Sequence, residues 1–268
     1  MKLVFASPRR SQQFAAIFGN LKSFTENVSI YFREENIYIQ CLDDSHCCLF
    51  EAQFMSDWFK EYTFDPDTDQ ACVGVNIAML NKVLTTWSDT QEMSIEIQPD
   101  TDKICINYEN GNAIAGQFDK YFELSLIDIE SELMDIKLFD TLVDLTIESK
   151  VFCSLISQLT IFDNNLTLTF NEENIECLSS GSEGSMKVII NVDEVKEYAI
   201  PESTILKQSY SLRYVQMMCQ FNKLASEMEL GFSAEKPMVM KYGIGDNNDT
   251  ESFVRIHLAP KIADNDNE

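Results

Sequence analysis

The chain has 268 residues, 45% of them hydrophobic and 24% charged, enough apolar material for one large or two ordinary domains with a sizeable core. Asp and Glu number 44 against 20 Lys and Arg, a formal net charge of −24. Phosphate is therefore repelled on average, and any nucleic-acid contact must gather the few basic residues onto one surface. No apolar run is long enough for a membrane span, and Leu3-Val4-Phe5-Ala6, cut off by Pro8-Arg9-Arg10, is too short for a signal peptide, so an intracellular location is expected.

Leu3 to Ala6 reads as an opening strand. From Ser11 to Leu21 the residues Phe14, Ile17, Phe18 and Leu21 fall at i, i+3, i+4 and i+7, the apolar stripe of a helix that Ser7 can cap, with Pro8 in its first turn. Val28, Ile30 and Phe32 alternate as a strand, and Glu34-Glu35-Asn36 follows as a hairpin turn in which Asn36 tolerates a left-handed backbone. A second helix is predicted from about Asn76 to Thr86, then strands at Ser94 to Gln98 and Ile104 to Tyr108. The segment Leu126 to Ile136 alternates acidic and apolar residues without Gly or Pro and reads as an extended crossing strand.

The same order then begins again. A strand from Leu142 to Ile147 leads into a helix with the stripe Phe152, Leu155, Ile156 and Leu159, and Leu166, Leu168 and Phe170 alternate. A second helix is expected over Leu212 to Leu224, with strands at Glu227 to Phe232 and Met238 to Tyr242. Phe32-Arg33-Glu34-Glu35-Asn36-Ile37 recurs as Phe170-Asn171-Glu172-Glu173-Asn174-Ile175, a shift of 138 positions that also carries Phe14 onto Phe152, Leu21 onto Leu159 and Phe24 onto Phe162. Further along the shift shortens by about three, pairing Ile77 with Leu212 and Met93 with Met228. The chain is thus two copies of one α+β domain, each an antiparallel sheet with two helices on one side. The expected division is residues 1–124, a connector 125–139, a second domain 140–263, and an acidic tail 264–268 that is expected to be disordered.

Eight cysteines are scattered with no C-x-x-C pair, and most sit in apolar runs, so free core cysteines in a reducing compartment are expected. His46-Cys47-Cys48 is the one cluster with ligand chemistry, but adjacent strand residues point to opposite faces. No metal and no cofactor are expected. An enzyme is not expected either: the two histidines lie in no ligand or nucleophile motif and no Gly-rich phosphate loop occurs.

Several segments resemble one family. They are Ile39-Gln40-Cys41-Leu42-Asp43-Asp44-Ser45-His46, Val73-Gly74-Val75-Asn76-Ile77, Leu212-Arg213-Tyr214, Pro237-Met238-Val239-Met240-Lys241-Tyr242 and Leu258-Ala259-Pro260-Lys261-Ile262. In this order, on two repeated domains, they are similar to the DNA sliding clamps of the proliferating cell nuclear antigen type, over nearly the whole chain. The chain diverges from the usual eukaryotic pattern, and its many Asn, Asp and Ile residues suit a large DNA virus or a protist.

The resemblance implies a homotrimer closing head to tail, with helices lining the hole. The edges that meet would be the strand at about Ala115 to Glu123 and the strand at about Ser185 to Ile190. It implies double-stranded DNA, a clamp loader, and DNA polymerase and other replication or repair proteins as partners, in the nucleus or at an intracellular site of viral DNA replication. Arg9, Arg10, Lys22, Lys82, Lys150, Arg213 and Lys223 are the candidate DNA-contacting residues, although Arg213 also suits a structural role. The second domain is thinly charged: Ser154, Ser157 and Gln220 stand where relatives usually carry basic residues. Partner peptides with an apolar residue and two aromatics would enter a pocket walled by Leu42, His46, Cys47, Leu49, Met134, Ile136, Pro237, His257, Leu258, Ala259 and Pro260. His257 replaces a usual Tyr, and Lys137 a common Pro. Two readings remain beside the ring: a monomeric or dimeric processivity factor binding DNA through one face, and an acidic replication or checkpoint scaffold with little DNA contact.

Overall fold

Residues 1–65, 71–98, 101–112, 116–129, 133–137, 139–245 and 251–261 are described by a computed structural model. They divide into two units. The first comprises Met1–Asp44, Phe50–Met134 and Gly243–Val254; the second comprises Ser45–Leu49, Asp135–Tyr242 and Arg255–Glu268.

In chain order the first half holds β1 (Lys2–Phe5), α1 (Pro8–Leu21), β2 (Asn27–Phe32), β3 (Asn36–Leu42), β4 (Cys48–Met55), β5 (Phe59–Thr63), β6 (Cys72–Asn76), α2 (Ile77–Leu84), β7 (Gln91–Ile97), β8 (Lys103–Asn110) and β9 (Lys120–Ser125). The second half holds β10 (Val143–Glu148), α3 (Ser149–Leu159), β11 (Asn165–Phe170), β12 (Asn174–Gly181), β13 (Gly184–Asn191), β14 (Glu197–Ala199), β15 (Leu206–Ser211), α4 (Leu212–Cys219), β16 (Glu227–Phe232), β17 (Met238–Gly243) and β18 (Phe253–Leu258).

The pairing scheme repeats with the sequence. β1 lies between β5 and β7, as β10 lies between β14 and β16; β2 lies between β3 and β6, as β11 lies between β12 and β15. All these pairings are antiparallel. β9 ends the order β5-β1-β7-β8-β9, and β13 ends the order β13-β12-β11-β15. The α+β class read from the sequence is the class observed.

Local chemistry explains the helices. Ser7 Oγ accepts from the Arg10 N–H at 3.3 Å and Pro8 opens α1, which buries Phe14, Ile17, Phe18 and Leu21. Asn76 caps α2 by accepting from the Met79 N–H at 3.0 Å. In the second unit neither Glu148 nor Ser211 makes a side-chain cap to its helix. Instead Asn164 Oδ1, remote in sequence, accepts from the Arg213 N–H at 2.8 Å. α1 packs on α2 and α3 on α4. Aromatic rings fill the core: Phe5 stands edge-on to Phe14 at 5.0 Å and Trp58 edge-on to Phe54 at 5.0 Å, while Phe170 meets Phe232 at 4.5 Å.

Four expectations need correction. Asn36 is in β3 and not left-handed; the turn closes by the Arg33 N–H donating to the Asn36 carbonyl, and the non-glycine residues with positive φ among those described are His46, Ser203 and Glu235. The described part of Leu126–Ile136 is not a strand, because only Ile127 forms a bridge, to Gly74. α4 stops at Cys219, short of Leu224. The cysteines are free, but only Cys48, Cys177 and Cys219 are buried, while Cys47 and Cys72 are exposed. Residues 264–268 and Ala115 lie outside the described residues.

Candidate nucleic-acid interface and partner cleft

The charge distribution is uneven. Although 44 residues are acidic, no Asp or Glu occurs in α1, α2, α3 or α4. Cations sit in the first turns instead: Arg9 and Arg10 in α1, Lys150 in α3 and Arg213 in α4. A helix dipole favours acids there and disfavours cations by about 0.3–1 kcal/mol each. The helix dipole therefore gives no account of Arg9, Lys150 and Arg213 at these positions.

Arg9, Lys22, Lys82, Lys150, Arg213 and Lys223 are exposed. Lys22, Lys82, Lys150 and Lys223 form no ion pair among the described residues. Six lysines on or beside the strands are paired by contrast: Lys2 with Glu61, Lys60 with Glu92, Lys103 with Glu123, Lys187 with Glu176, Lys196 with Glu227 and Lys241 with Glu229, while Lys120 and Lys207 form no ion pair among the described residues. Two candidates have structural duties. Arg10 is half-buried, donating to the carbonyls of Asp57 and Trp58 with its guanidinium 5.6 Å from the Trp58 ring, so it ties α1 to the turn before β5. Arg213 lies 5.9 Å from the Tyr214 ring while remaining exposed.

The expected peptide pocket draws on both units, and each share stands alone. In the first unit Leu42 is half-buried and Met134 is 40% exposed. In the second, His46, Cys47 and Ala259 are exposed, and Leu49, Ile136, Pro237 and Pro260 are half-buried. His257 and Leu258 are buried, and as neighbours on β18 they point to opposite faces. Leu258, at 1% exposure, belongs to the core. His257 instead lines a cleft of about 370 Å³ in the second unit.

That cleft lies over β10, β16, β17 and β18, with Phe139, Leu145, Leu230 and Val239 as apolar wall and Lys241 and Arg255 at its polar side. A Cβ on Gly231 would come within 2.6 Å of Thr141 Cγ2, so the glycine lets Thr141 lie against β16. Sequence reasoning missed these residues. The available signal was the alternation that places Arg255 with His257, and Val239 with Lys241, on one face. Among the described residues no three His, Cys, Asp or Glu side chains are grouped to hold a metal.

The profile described as "Proliferating cell nuclear antigen, N-terminal domain" matches residues 9–133, and the corresponding C-terminal domain profile matches residues 135–261. The chain belongs to the proliferating cell nuclear antigen family. It is a divergent clamp: proliferating cell nuclear antigen 2 of Drosophila melanogaster is 24% identical over 93% of this chain and 94% of its own. Proliferating cell nuclear antigen 1 of Plasmodium falciparum (isolate K1 / Thailand) is 27% identical over 92% and 93%, and the proliferating cell nuclear antigen of Chaetomium thermophilum is 23% identical over 92% and 93%. Membership makes this a sliding-clamp chain, a processivity factor of DNA replication and repair, in a family where the homotrimeric ring is typical.

Proposed function

We propose that three copies of this clamp close head to tail, β9 of one against β13 of the next, into a ring that encircles duplex DNA without reading sequence. The helices face the DNA. A clamp loader opens the ring, and DNA polymerase and other replication or repair proteins are tethered by short peptides docking beside the connector. The clamp is a tether, not an enzyme, acting in the nucleus or at an intracellular site of viral DNA replication. The domain division at residues 1–124, 125–139 and 140–263 is part of this proposal.

The observation that carries it is the acid-free helical surface of a chain charged −24, with cations placed against the helix dipoles. Six exposed cations are few for a duplex, and the second unit supplies only Lys150, Arg213 and Lys223. DNA contact is therefore weak and salt-sensitive, and retention rests on enclosure.

Binding to linear duplex over a salt series tests this. Replacing Lys22, Lys82, Lys150 and Lys223 together with Gln lowers the slope of log affinity against log salt by up to about 0.9 for each phosphate no longer neutralised. Replacing Lys60, Lys103, Lys196 and Lys241 leaves it unchanged. Tight binding of linear duplex at physiological salt by the purified chain without a loader contradicts the proposal.

A further inference from the structure

Among its described residues the connector forms no strand after β9, yet beyond Leu126, whose N–H donates to the Asp102 carbonyl at 2.9 Å, the first unit grips it at two points. At the first, Ile127 bridges Gly74, and a Cβ on Gly74 would lie 2.2 Å from the Ile127 carbonyl oxygen, so only glycine admits so close an approach. At the second, no backbone of the first unit is used. The side-chain amide of Gln40 makes both hydrogen bonds that a neighbouring strand would make: the Met134 N–H donates to Oε1 at 2.8 Å, and Nε2 donates to the Met134 carbonyl at 3.1 Å.

A glutamine alone holds such a pose poorly, because its rotamers cost entropy to fix. Here the amide is oriented from below. Nε2 also donates to the Tyr38 hydroxyl at 3.1 Å, and that hydroxyl donates to Glu51 Oε1 at 2.8 Å. Tyr38 and Gln40 are two apart on β3 and so share a face. Tyr38 and Glu51 are 9% and 4% exposed, and the Arg33 guanidinium lies 4.8 Å from the Tyr38 ring. Burial first, and then the Glu51 carboxylate, push the Tyr38 phenol above its usual range and keep it protonated as the donor. The relay thus runs from a buried carboxylate to the connector backbone.

We propose that Glu51, Tyr38 and Gln40 form a latch that fixes the connector at Met134 and so sets the affinity for partner peptides. The functional half rests on the reading that such peptides dock beside the connector. Gln40 and Tyr38 are positioning residues, acting through the Met134 backbone.

Two variants of the full chain test it: Gln40→Leu, which removes both bonds to Met134, and the double variant Tyr38→Phe with Glu51→Leu, which removes the relay without stranding a carboxylate. Hydrogen exchange at the Met134 amide reads the latch. Fluorescence anisotropy of a labelled synthetic peptide carrying an apolar residue and two adjacent aromatics reads docking.

In Gln40→Leu the Met134 amide exchanges roughly tenfold faster and the peptide Kd rises by a similar factor, while exchange at Ile39 and Phe50 stays as in wild type. The double variant shifts both in the same direction by less. Unchanged exchange at Met134 overturns the latch. Faster exchange with unchanged peptide affinity overturns its link to docking. A wild-type chain that binds no such peptide overturns the docking reading and the functional half with it, and Met134 exchange then judges the mechanical half separately.

Discussion

Two pairs of strands that hold equivalent places in the repeat differ sharply in cover. β18 and β4 have burial patterns rich in core positions: Val254 and Ile256 are completely inaccessible, as are Cys48, Phe50, Ala52 and Phe54. Their counterparts β9 and β13 contain no buried residue on either face. Both counterparts end their sheets, and both carry large apolar side chains in solvent, Tyr121 at 65% exposure and Ile189 at 51%, with Phe118 at 74% just before β9. A bare edge with apolar neighbours is a pairing hazard in a monomer. In a head-to-tail ring the same edges are complementary, since two different surfaces meet. In the proposed ring the second pair finds in a neighbouring chain the cover that the first pair has within its own.

The comparison breaks hardest at β18. Val254→Lys places an unpaired charge where none is accessible, and the clamp loses cooperative unfolding or accumulates insoluble, as judged by a thermal melt. The matching change on the bare side, Ile189→Lys, leaves the melt of the single chain close to wild type and abolishes the trimer. An Ile189→Lys chain that keeps the wild-type mass places the interface elsewhere.

Smaller effects sharpen the picture. Ser7→Ala removes the only side-chain cap of α1 shown by the structure and costs about 1 kcal/mol in denaturant unfolding. Ser211→Ala costs less, because α4 is capped by Asn164. Lys103→Gln deletes an exposed pair with Glu123 and leaves the unfolding midpoint unmoved.

Much of this was legible in the sequence because it is local or periodic. The 138-residue shift announced the duplicated topology, Ser7-Pro8 announced the start of α1, and alternation placed β2, β11 and β16 within a residue. What was misread depends on tertiary structure. The connector looked like a strand because its acidic and apolar residues alternate, but its described backbone bonds are those of Leu126 to Asp102 and Ile127 to Gly74, and at Met134 it is held by a side chain. The hydrogen bonds of Arg10 to the carbonyls of Asp57 and Trp58 carried no sign in the sequence, since the partners lie 47 and 48 residues away. The cleft escaped notice because its walls come from strands far apart in the chain.

Light scattering over a concentration series tests ring closure most directly. The expected result is a mass three times 30.7 kDa that persists on dilution, and its reduction to 30.7 kDa by Ile189→Lys. A wild-type mass of one or two chains across the whole series would contradict closure and leave a one-faced processivity factor in its place.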